Sequence, residues 1–169
     1  MAATEPDVTG SGRRPLTRRA LLGYFPRAAS LLVLPVALRA DRSEDLMAVI
    51  SYIATALTAG NASDAMLPFD ASLPGRDKLS GYFDALCTEV TVRSDVEMIE
   101  EKGTDTESDA LLRWTLDLRG RMNNDELERR VRQVHVRFVP APSHAKYGLW
   151  KIVSFDDIEL FNPFIQQAK

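Results

Sequence analysis

Residues 111–119 read LLRWTLDLR, and from Leu112 onward apolar and polar side chains alternate. One parity carries Leu112, Trp114, Leu116 and Leu118, and the other carries Arg113, Thr115, Asp117 and Arg119. Because successive side chains of a strand point to opposite faces, this alternation predicts a strand with one buried and one solvated face. A sheet with one apolar face needs a second layer that covers that face.

The two-residue period recurs on both sides of this stretch. Upstream, one parity carries Val90, Val92, Val96 and Met98, and downstream one parity carries Val134, Val136 and Phe138. Polar turns at residues 103–108 and 120–125 separate these strands, and Pro140 ends the third strand. A fourth strand, from residue 149 to about 160, places Trp150 and Ile152 on one face and Val153 and Phe155 on the other. We expect burial on both faces of this last strand.

Helical spacing precedes the strands. Apolar residues recur at three and four positions in residues 43–59, with Ser43 at the predicted helix start and Gly60 at its end. A short second helix stops at Pro68, and a third is predicted over residues 76–89, with a buried face of Leu79, Tyr82, Phe83, Leu86 and Cys87. The expected fold class is α+β, with three N-terminal helices packed on a curved four-stranded antiparallel sheet and a conical cavity between the layers.

Residues 1–40 differ from the remainder in composition. Arg13, Arg14, Arg18 and Arg19 precede apolar runs at residues 20–25 and 28–38, which is typical of an export signal. Residues 17–22, TRRALL, resemble the twin-arginine signal family, and Ala40 offers a small residue for cleavage. We therefore expect a leader over 1–40, a domain over 41–169, and a periplasmic or secreted location. A disordered basic tail and an uncleaved anchor are the alternatives, although Arg27 makes the stretch a poor membrane span.

The charge balance of residues 41–169 argues against nucleic-acid binding. Residues 1–40 contain six of the 21 basic and two of the 24 acidic residues, so residues 41–169 carry 15 basic and 22 acidic residues, a formal charge of −7. The basic residues alternate with acidic ones along the predicted strands, which is typical of a solvated, ion-paired face. We expect Cys87 to be a core residue, and no cofactor or metal, since His135 and His144 lack ligand spacing.

The order of helices and strands, ending in residues 150–155, WKIVSF, resembles the nuclear-transport-factor-2-like (NTF2-like, SnoaL-like) superfamily, including its ketosteroid isomerase and bacterial exported branches. Residues 52–61, YIATALTAGN, resemble the opening helix of that family, and residues 75–79, GRDKL, resemble the start of its third helix. The resemblance spans about residues 44–164. It implies the cone-shaped, cystatin-like fold but no single reaction, since this fold hosts isomerases, dehydratases, cyclases and simple binders.

The resemblance supplies no complete catalytic set. The isomerase branch uses a tyrosine in the opening helix and an aspartate base on a short strand between the second and third helices. Tyr52 lies one residue out of register, and residues 69–74 are too short for that strand, which leaves Asp70 in a solvated connection. A general base also needs a raised pKa. Asp117 and His135 share the polar parity of their strands, which suits an ion-paired surface better than a catalytic dyad. We expect no catalytic residues.

Six aromatic residues are the candidates for a ligand pocket between helices and sheet: Tyr52, Tyr82, Phe83, Trp114, Phe138 and Trp150. They form either plain core or an apolar pocket for a small hydrophobic ligand. The sequence predicts an exported, non-catalytic binding or accessory module; the alternative is an isomerase or dehydratase that acts in the same cavity. A third class is a protein-interaction module that docks through Val153 and Phe155. We also expect a homodimer through the outer face of the sheet.

Overall fold

A computed structural model describes residues 34–122 and 125–163 of the chain, with side chains from Arg42 onward. The elements are α1 (Leu34–Thr58), α2 (Ala62–Met66), α3 (Arg76–Glu89), β1 (Val90–Gly103), β2 (Ser108–Gly120), β3 (Glu126–Pro140), β4 (Trp150–Phe155) and a C-terminal 3-10 helix (Ile158–Phe161). The predicted leader, residues 1–40, lies outside the described residues except for the first turns of α1. None of the described helices is long and apolar enough to cross a membrane.

Helix α1 is already formed at Leu34, the first described residue, nine residues before its predicted start. An acidic pair after a serine is typical of a helix start, but Ser43 is an interior residue of α1, so the predicted start is wrong. The Ala, Leu and Arg residues between Pro35 and Ser43 favour helix. The predicted domain boundary at residue 40 therefore falls inside α1. The helix ends at Thr58, and Gly60 (φ 72°) follows as the expected glycine cap.

Helix α2 is capped by Asn61, whose side chain accepts a hydrogen bond from the Asp64 amide at 3.0 Å. Helix α3 has the predicted bounds and buries Leu79, Phe83, Leu86 and Cys87. Gly75 caps its start at φ 75°, a backbone conformation that favours glycine. A Cβ at this position would also lie 3.0 Å from Ile158 of the C-terminal 3-10 helix. This close approach brings the C-terminal helix against the start of α3.

The sheet confirms the predicted meander, with strand order β1-β2-β3-β4 and antiparallel pairing throughout. Trp114 of β2 lies between Val96 of β1 and Arg132 of β3. The predicted inner parity is buried in β2 and β3: Leu112, Trp114, Leu116, Leu118, Val134, Val136 and Phe138. Each strand pair contains one register shift, and such shifts bend and twist a sheet.

The outer face is polar and ion-paired, as the alternating charges predict. Arg113 contacts Glu97 at 2.7 Å, and Arg129 contacts Asp117 at 3.4 Å. His135 lies on the same face, six residues along β3 from the Arg129 that pairs with Asp117. Six strand residues span about 20 Å, so Asp117 and His135 are too far apart to act as a dyad.

Phe155 lies on the inner face, contrary to prediction. Arg137 pairs with Ser154 and the next residue, Phe138, pairs with Ile152, so Val153 is an extra residue in β4. The bulge returns Phe155 to the face of Ile152, where it is 6% exposed. The prediction of a docking surface formed by Val153 and Phe155 together is therefore wrong. Strand β4 also ends at Phe155 instead of about residue 160, and the chain continues as the 3-10 helix.

The connection between α2 and α3 holds one bridge residue, although the sequence predicted no strand there. Phe69 pairs in parallel with Ile152 of β4. The Asp70 amide donates to the Ile152 carbonyl and the Ile152 amide donates to the Pro68 carbonyl, both at 2.8 Å. Even a short connection can supply two backbone hydrogen bonds to an unpaired strand edge, which a minimum-length argument overlooks. This bridge fixes the position of Asp70 beside β4.

Candidate functional site

The six predicted pocket residues divide into a buried group and a partly exposed group. Phe83, Trp114 and Phe138 have no exposed surface, and Trp150 is 7% exposed. Tyr52 and Tyr82 lie at the edge of the core and retain part of their surface. Among the described residues, no ring contact joins two members of the set directly; Tyr52 pairs instead with Tyr147, at 6.4 Å between centroids. The structure therefore does not bring all six together around one space.

Phe83 and Trp114 meet through a residue that the sequence did not single out, Phe161. The Phe161 ring stands at 90° to both, with centroid distances of 4.9 Å to Phe83 and 5.2 Å to Trp114. The Phe155 ring lies 5.7 Å from the Phe161 ring and 5.9 Å from the Trp114 ring, measured between centroids. Phe69 completes this aromatic cluster through edge contacts with Phe83 and Phe155. Edge-to-face contacts of this kind stabilise beyond the area that they bury.

Trp114 also has a polar anchor. Its indole N–H donates to the Ser94 hydroxyl of β1 at 2.8 Å. A buried indole N–H needs such a partner, since leaving it without a hydrogen bond costs free energy. The cross-strand hydrogen bond fixes the orientation of the indole ring at the centre of the inner face.

Arg130 of β3 holds the C-terminal segment against the sheet. Its guanidinium is 7% exposed and donates to the Leu160 carbonyl at 2.9 Å and to the Asn162 carbonyl. It also forms an ion pair with Glu128 at 2.6 Å. A charged side chain so deeply buried is stable only when it is paired and hydrogen-bonded. Arg130 is thus coupled to the segment after β4 through two carbonyl acceptors, and Glu128 of the same strand supplies the opposite charge.

A second set of contacts holds the same segment from the solvent side. Glu159 forms an ion pair with Lys78 of α3 and accepts a hydrogen bond from the Tyr82 hydroxyl at 3.0 Å. The hydrogen bond from Lys78, followed by that from Tyr82, lowers the pKa of the Glu159 carboxyl. Tyr82, a predicted pocket residue, therefore anchors the C-terminal segment.

Three of the open clefts that the described residues form lie outside the aromatic cluster. Two lie between α1 and β1, of about 440 and 480 Å³. The third, of about 200 Å³, lies beside the C-terminal segment and is lined by Glu128, Arg130, Arg132, Asp157, Glu159, Leu160 and Asn162. None of these three clefts is lined by the six predicted aromatic residues. The space at the centre of the aromatic cluster is occupied by the Phe161 ring.

Asp70 is held as a carboxylate. It forms an ion pair with Lys151 of β4 at 2.5 Å and accepts hydrogen bonds from the Ser72 hydroxyl at 2.6 Å and amide at 2.9 Å. The hydrogen bond from Lys151 and those from Ser72 hold the pKa of Asp70 well below its usual range. The pKa of Tyr52 is raised by burial and by the charge of Asp64. Asp70 so placed is a weak proton acceptor.

The described residues contain no group of three or more His, Cys, Asp or Glu side chains that could hold a metal ion. Cys87 is buried among the apolar residues of α3. Burial, followed by the charge of Asp84, raises the pKa of its thiol, and a thiol of raised pKa is a poor nucleophile at neutral pH. The sequence-based expectation of a core cysteine is consistent with this placement.

No family model and no curated protein matches the chain. Solved structures do match it. A proposed scytalone dehydratase from Novosphingobium aromaticivorans is 11% identical with a TM-score of 0.61, covering 71% of this chain and 85% of its own. A protein of unknown function with a cystatin-like fold from Nostoc punctiforme is 12% identical with a TM-score of 0.51, covering 67% and 86%. A ketosteroid isomerase-like protein from Erwinia carotovora atroseptica is 10% identical with a TM-score of 0.50, covering 66% and 91%.

Identities of 10–12% carry information about the fold alone. The similarity covers 85–91% of the length of each of these proteins. The domain therefore has a cystatin-like (NTF2-like) fold, and its solved structural neighbours include a proposed scytalone dehydratase and a ketosteroid isomerase-like protein.

Proposed function

We propose that this protein is an exported, non-catalytic binding or accessory module that takes a small hydrophobic ligand between its helices and its sheet. The observation that carries the proposal is the state of Asp70, the carboxylate closest in sequence to the place where an isomerase would hold its base. Asp70 is paired with Lys151 and Ser72, and its pKa is lowered instead of raised. A base that abstracts a proton near neutral pH needs the opposite shift.

The composition of the interior supports binding. The rings of Phe83, Trp114, Phe155 and Phe161 meet between α3 and the sheet. Ligand sites for small apolar molecules are lined in this way, by aromatic side chains with few polar groups that fix orientation. The Ser94 hydroxyl, which accepts the Trp114 indole N–H, lies at the edge of this cluster as such a group.

The alternative is an isomerase or dehydratase that acts in the same interior. It is favoured by two structural neighbours, the proposed scytalone dehydratase and the ketosteroid isomerase-like protein. Such an enzyme would require a carboxyl group or histidine that faces the aromatic cluster with a pKa near the working pH. A fold shared at 10–11% identity does not supply that group.

Native mass spectrometry of the full-length chain expressed with its leader and recovered from the exported fraction tests the proposal. We expect a mature chain that begins at Asp41, together with a small-molecule mass that is lost on denaturation. An intact leader in that fraction contradicts the export proposal. A ligand-free mass contradicts the binding proposal.

The enzyme alternative is tested on the same sample by turnover of a ketosteroid and of scytalone, with Asp70→Asn as the matched variant. We expect no turnover by either protein. Turnover that falls at least tenfold in Asp70→Asn would establish the enzyme and overturn the non-catalytic proposal.

A further inference from the structure

We infer that the C-terminal 3-10 helix (Ile158–Phe161) is a displaceable plug, and that Phe161 occupies the site of a ligand that carries an aromatic ring and a neutral carbonyl group. The inference rests on the proposed function, because it names the ligand class and the gate of the same interior. Phe161 is fully buried, yet it belongs to a four-residue 3-10 helix that follows the last strand. The centre of the aromatic cluster is therefore filled by a short terminal element.

The ring contacts of Phe161 define the shape of the site. The rings of Phe83 and Trp114 stand at 90° to the Phe161 ring, and that of Phe155 is tilted by 41°. Three neighbouring rings thus surround one planar ring. If the plug moves out, a planar aromatic ligand can restore these edge-to-face contacts, whereas a saturated ring loses their quadrupole component.

Arg130 defines the polar part of the site. It donates to the carbonyls of Leu160 and Asn162, on either side of Phe161. Displacement of the plug would remove both acceptors from a guanidinium that is 7% exposed, and an unreplaced acceptor is costly. Glu128 already pairs with this guanidinium. The acceptors to be replaced are neutral, so a ketone or amide oxygen suits the site better than a carboxylate.

The contacts that hold the plug from the solvent side are weak. Both side chains of the Lys78–Glu159 pair are 53% exposed, and exposed pairs contribute little to stability. The third cleft adjoins the plug through Glu159, Leu160 and Asn162. Among the described residues, the solvent-side contacts of the plug with Lys78 and Tyr82 are exposed, as expected for an element that opens without unfolding the sheet.

The first test uses acetophenone, which joins an aromatic ring to a neutral carbonyl, and titration calorimetry on the full-length chain. The variant Glu159→Gln weakens the solvent-side anchors of the plug. Its matched control is Glu97→Gln, which removes the similarly exposed pair with Arg113 on the outer face. We expect acetophenone to bind Glu159→Gln about two- to fivefold more tightly than wild type, since the open fraction rises. Glu97→Gln is expected to bind as wild type does.

The second test opens the site directly. Phe161→Ala should be raised in melting temperature by acetophenone more than by ethylbenzene, which lacks the carbonyl, or by cyclohexyl methyl ketone, which lacks the aromatic ring. Phe138→Ala is the control, because it empties a ring-sized space eight residues along β3 from Arg130, roughly 26 Å. We expect no preference for the ketone there. If Phe161→Ala does not fold, the acetophenone affinity of Glu159→Gln, compared with that of Glu97→Gln, decides whether the inference holds.

The inference is overturned if Glu159→Gln and Glu97→Gln bind acetophenone equally, or if folded Phe161→Ala prefers ethylbenzene. Either result leaves the proposed function intact when the exported chain still carries a small molecule in native mass spectrometry. Conversely, a ligand-free exported chain together with a ketone preference in Phe161→Ala removes the proposed binding role and keeps the plug geometry. The two claims can thus fail separately.

Discussion

Trp114 packs in the aromatic cluster and is also hydrogen-bonded to the neighbouring strand β1. Its ring meets Phe155 and Phe161 edge-on, and its N–H reaches Ser94 on the neighbouring strand. The residue is fully buried, as its parity in β2 predicts. Removing it would empty a large space and leave the Ser94 hydroxyl without its donor.

We expect Trp114→Ala to lower the free energy of unfolding by about 3–5 kcal/mol, because a buried ring is replaced by a cavity. Leu149→Ala in the loop before β4, where Leu149 is 56% exposed, is the control and should change stability by less than about 0.5 kcal/mol. Denaturant titration measures both. A loss below about 1 kcal/mol for Trp114→Ala would mean that the inward parity is wrong.

The Asp70–Lys151 pair predicts a dependence of stability on pH. The pKa of folded Asp70 is depressed, so its contribution is present above the unfolded value of about 3.9 and is lost as pH falls below it. Between these two pKa values the unfolded chain binds more protons, and acidification destabilises the fold. Lys151→Met should therefore lose less stability than wild type between neutral pH and about pH 3.

Unfolding by urea at several pH values measures this difference. Lys146→Met, which removes an exposed ammonium from the loop before β4, should keep the wild-type slope. Parallel pH profiles for wild type and Lys151→Met would show that the ion pair does not depress the pKa of Asp70 in solution.

At the level of elements, periodicity located β1, β2 and β3 but not the course of β4. The residues of β2 and β3 that were predicted to face inward, including Trp114, Val134 and Phe138, are buried on the inner face. In β4 the bulge at Val153 shifts the phase by one residue, so that Phe155 rejoins the inner face. A bulge depends on the register of the neighbouring strand, which no local pattern in residues 149–160 contains.

Helix α1 is tied to the β1–β2 hairpin by a buried polar contact. Arg42 donates to Glu101 at 2.9 Å, and Ser108 donates to the same carboxylate at 2.7 Å. Glu101 is 4% exposed. Because the carboxylate is desolvated, loss of its guanidinium partner should cost much more than loss of an exposed pair.

We expect Arg42→Met to lower the free energy of unfolding by about 3 kcal/mol and to reduce hydrogen-exchange protection in α1. Arg113→Met, which removes an exposed pair with Glu97, should cost no more than about 1 kcal/mol. Equal losses for the two variants would contradict a role of the Arg42–Glu101 contact in fixing α1.

At the scale of the whole molecule, the sequence predicted only some of the residues that form the aromatic interior. Phe83 and Trp114 were placed correctly by helical and strand periods, but the ring between them, Phe161, comes from a segment that the sequence placed beyond the last strand. No period singles out a residue in a four-residue 3-10 helix. Its role depends on the position of that helix against Gly75 and Arg130, which is set by tertiary packing.

The predicted homodimer through the outer face is open to a direct measurement. Val131 lies opposite Thr115 on that face, with Arg113 and Arg129 nearby. We expect sedimentation equilibrium to give twice the monomer mass, and Val131→Arg to give a monomer, since the added guanidinium would be desolvated in the interface while the nearby Glu97 and Asp117 are already paired. A wild-type monomer at the highest soluble concentration would contradict the prediction.

Tryptophan fluorescence gives the most direct test of the claim that the alternation after residue 90 hides an aromatic interior under the helices. The chain has two tryptophans, so Trp150→Phe leaves Trp114 as the sole emitter. We predict blue-shifted emission and weak quenching by acrylamide, as for a side chain with no exposed surface. Emission and quenching equal to those of free tryptophan, in a variant that retains its circular dichroism, would contradict the account.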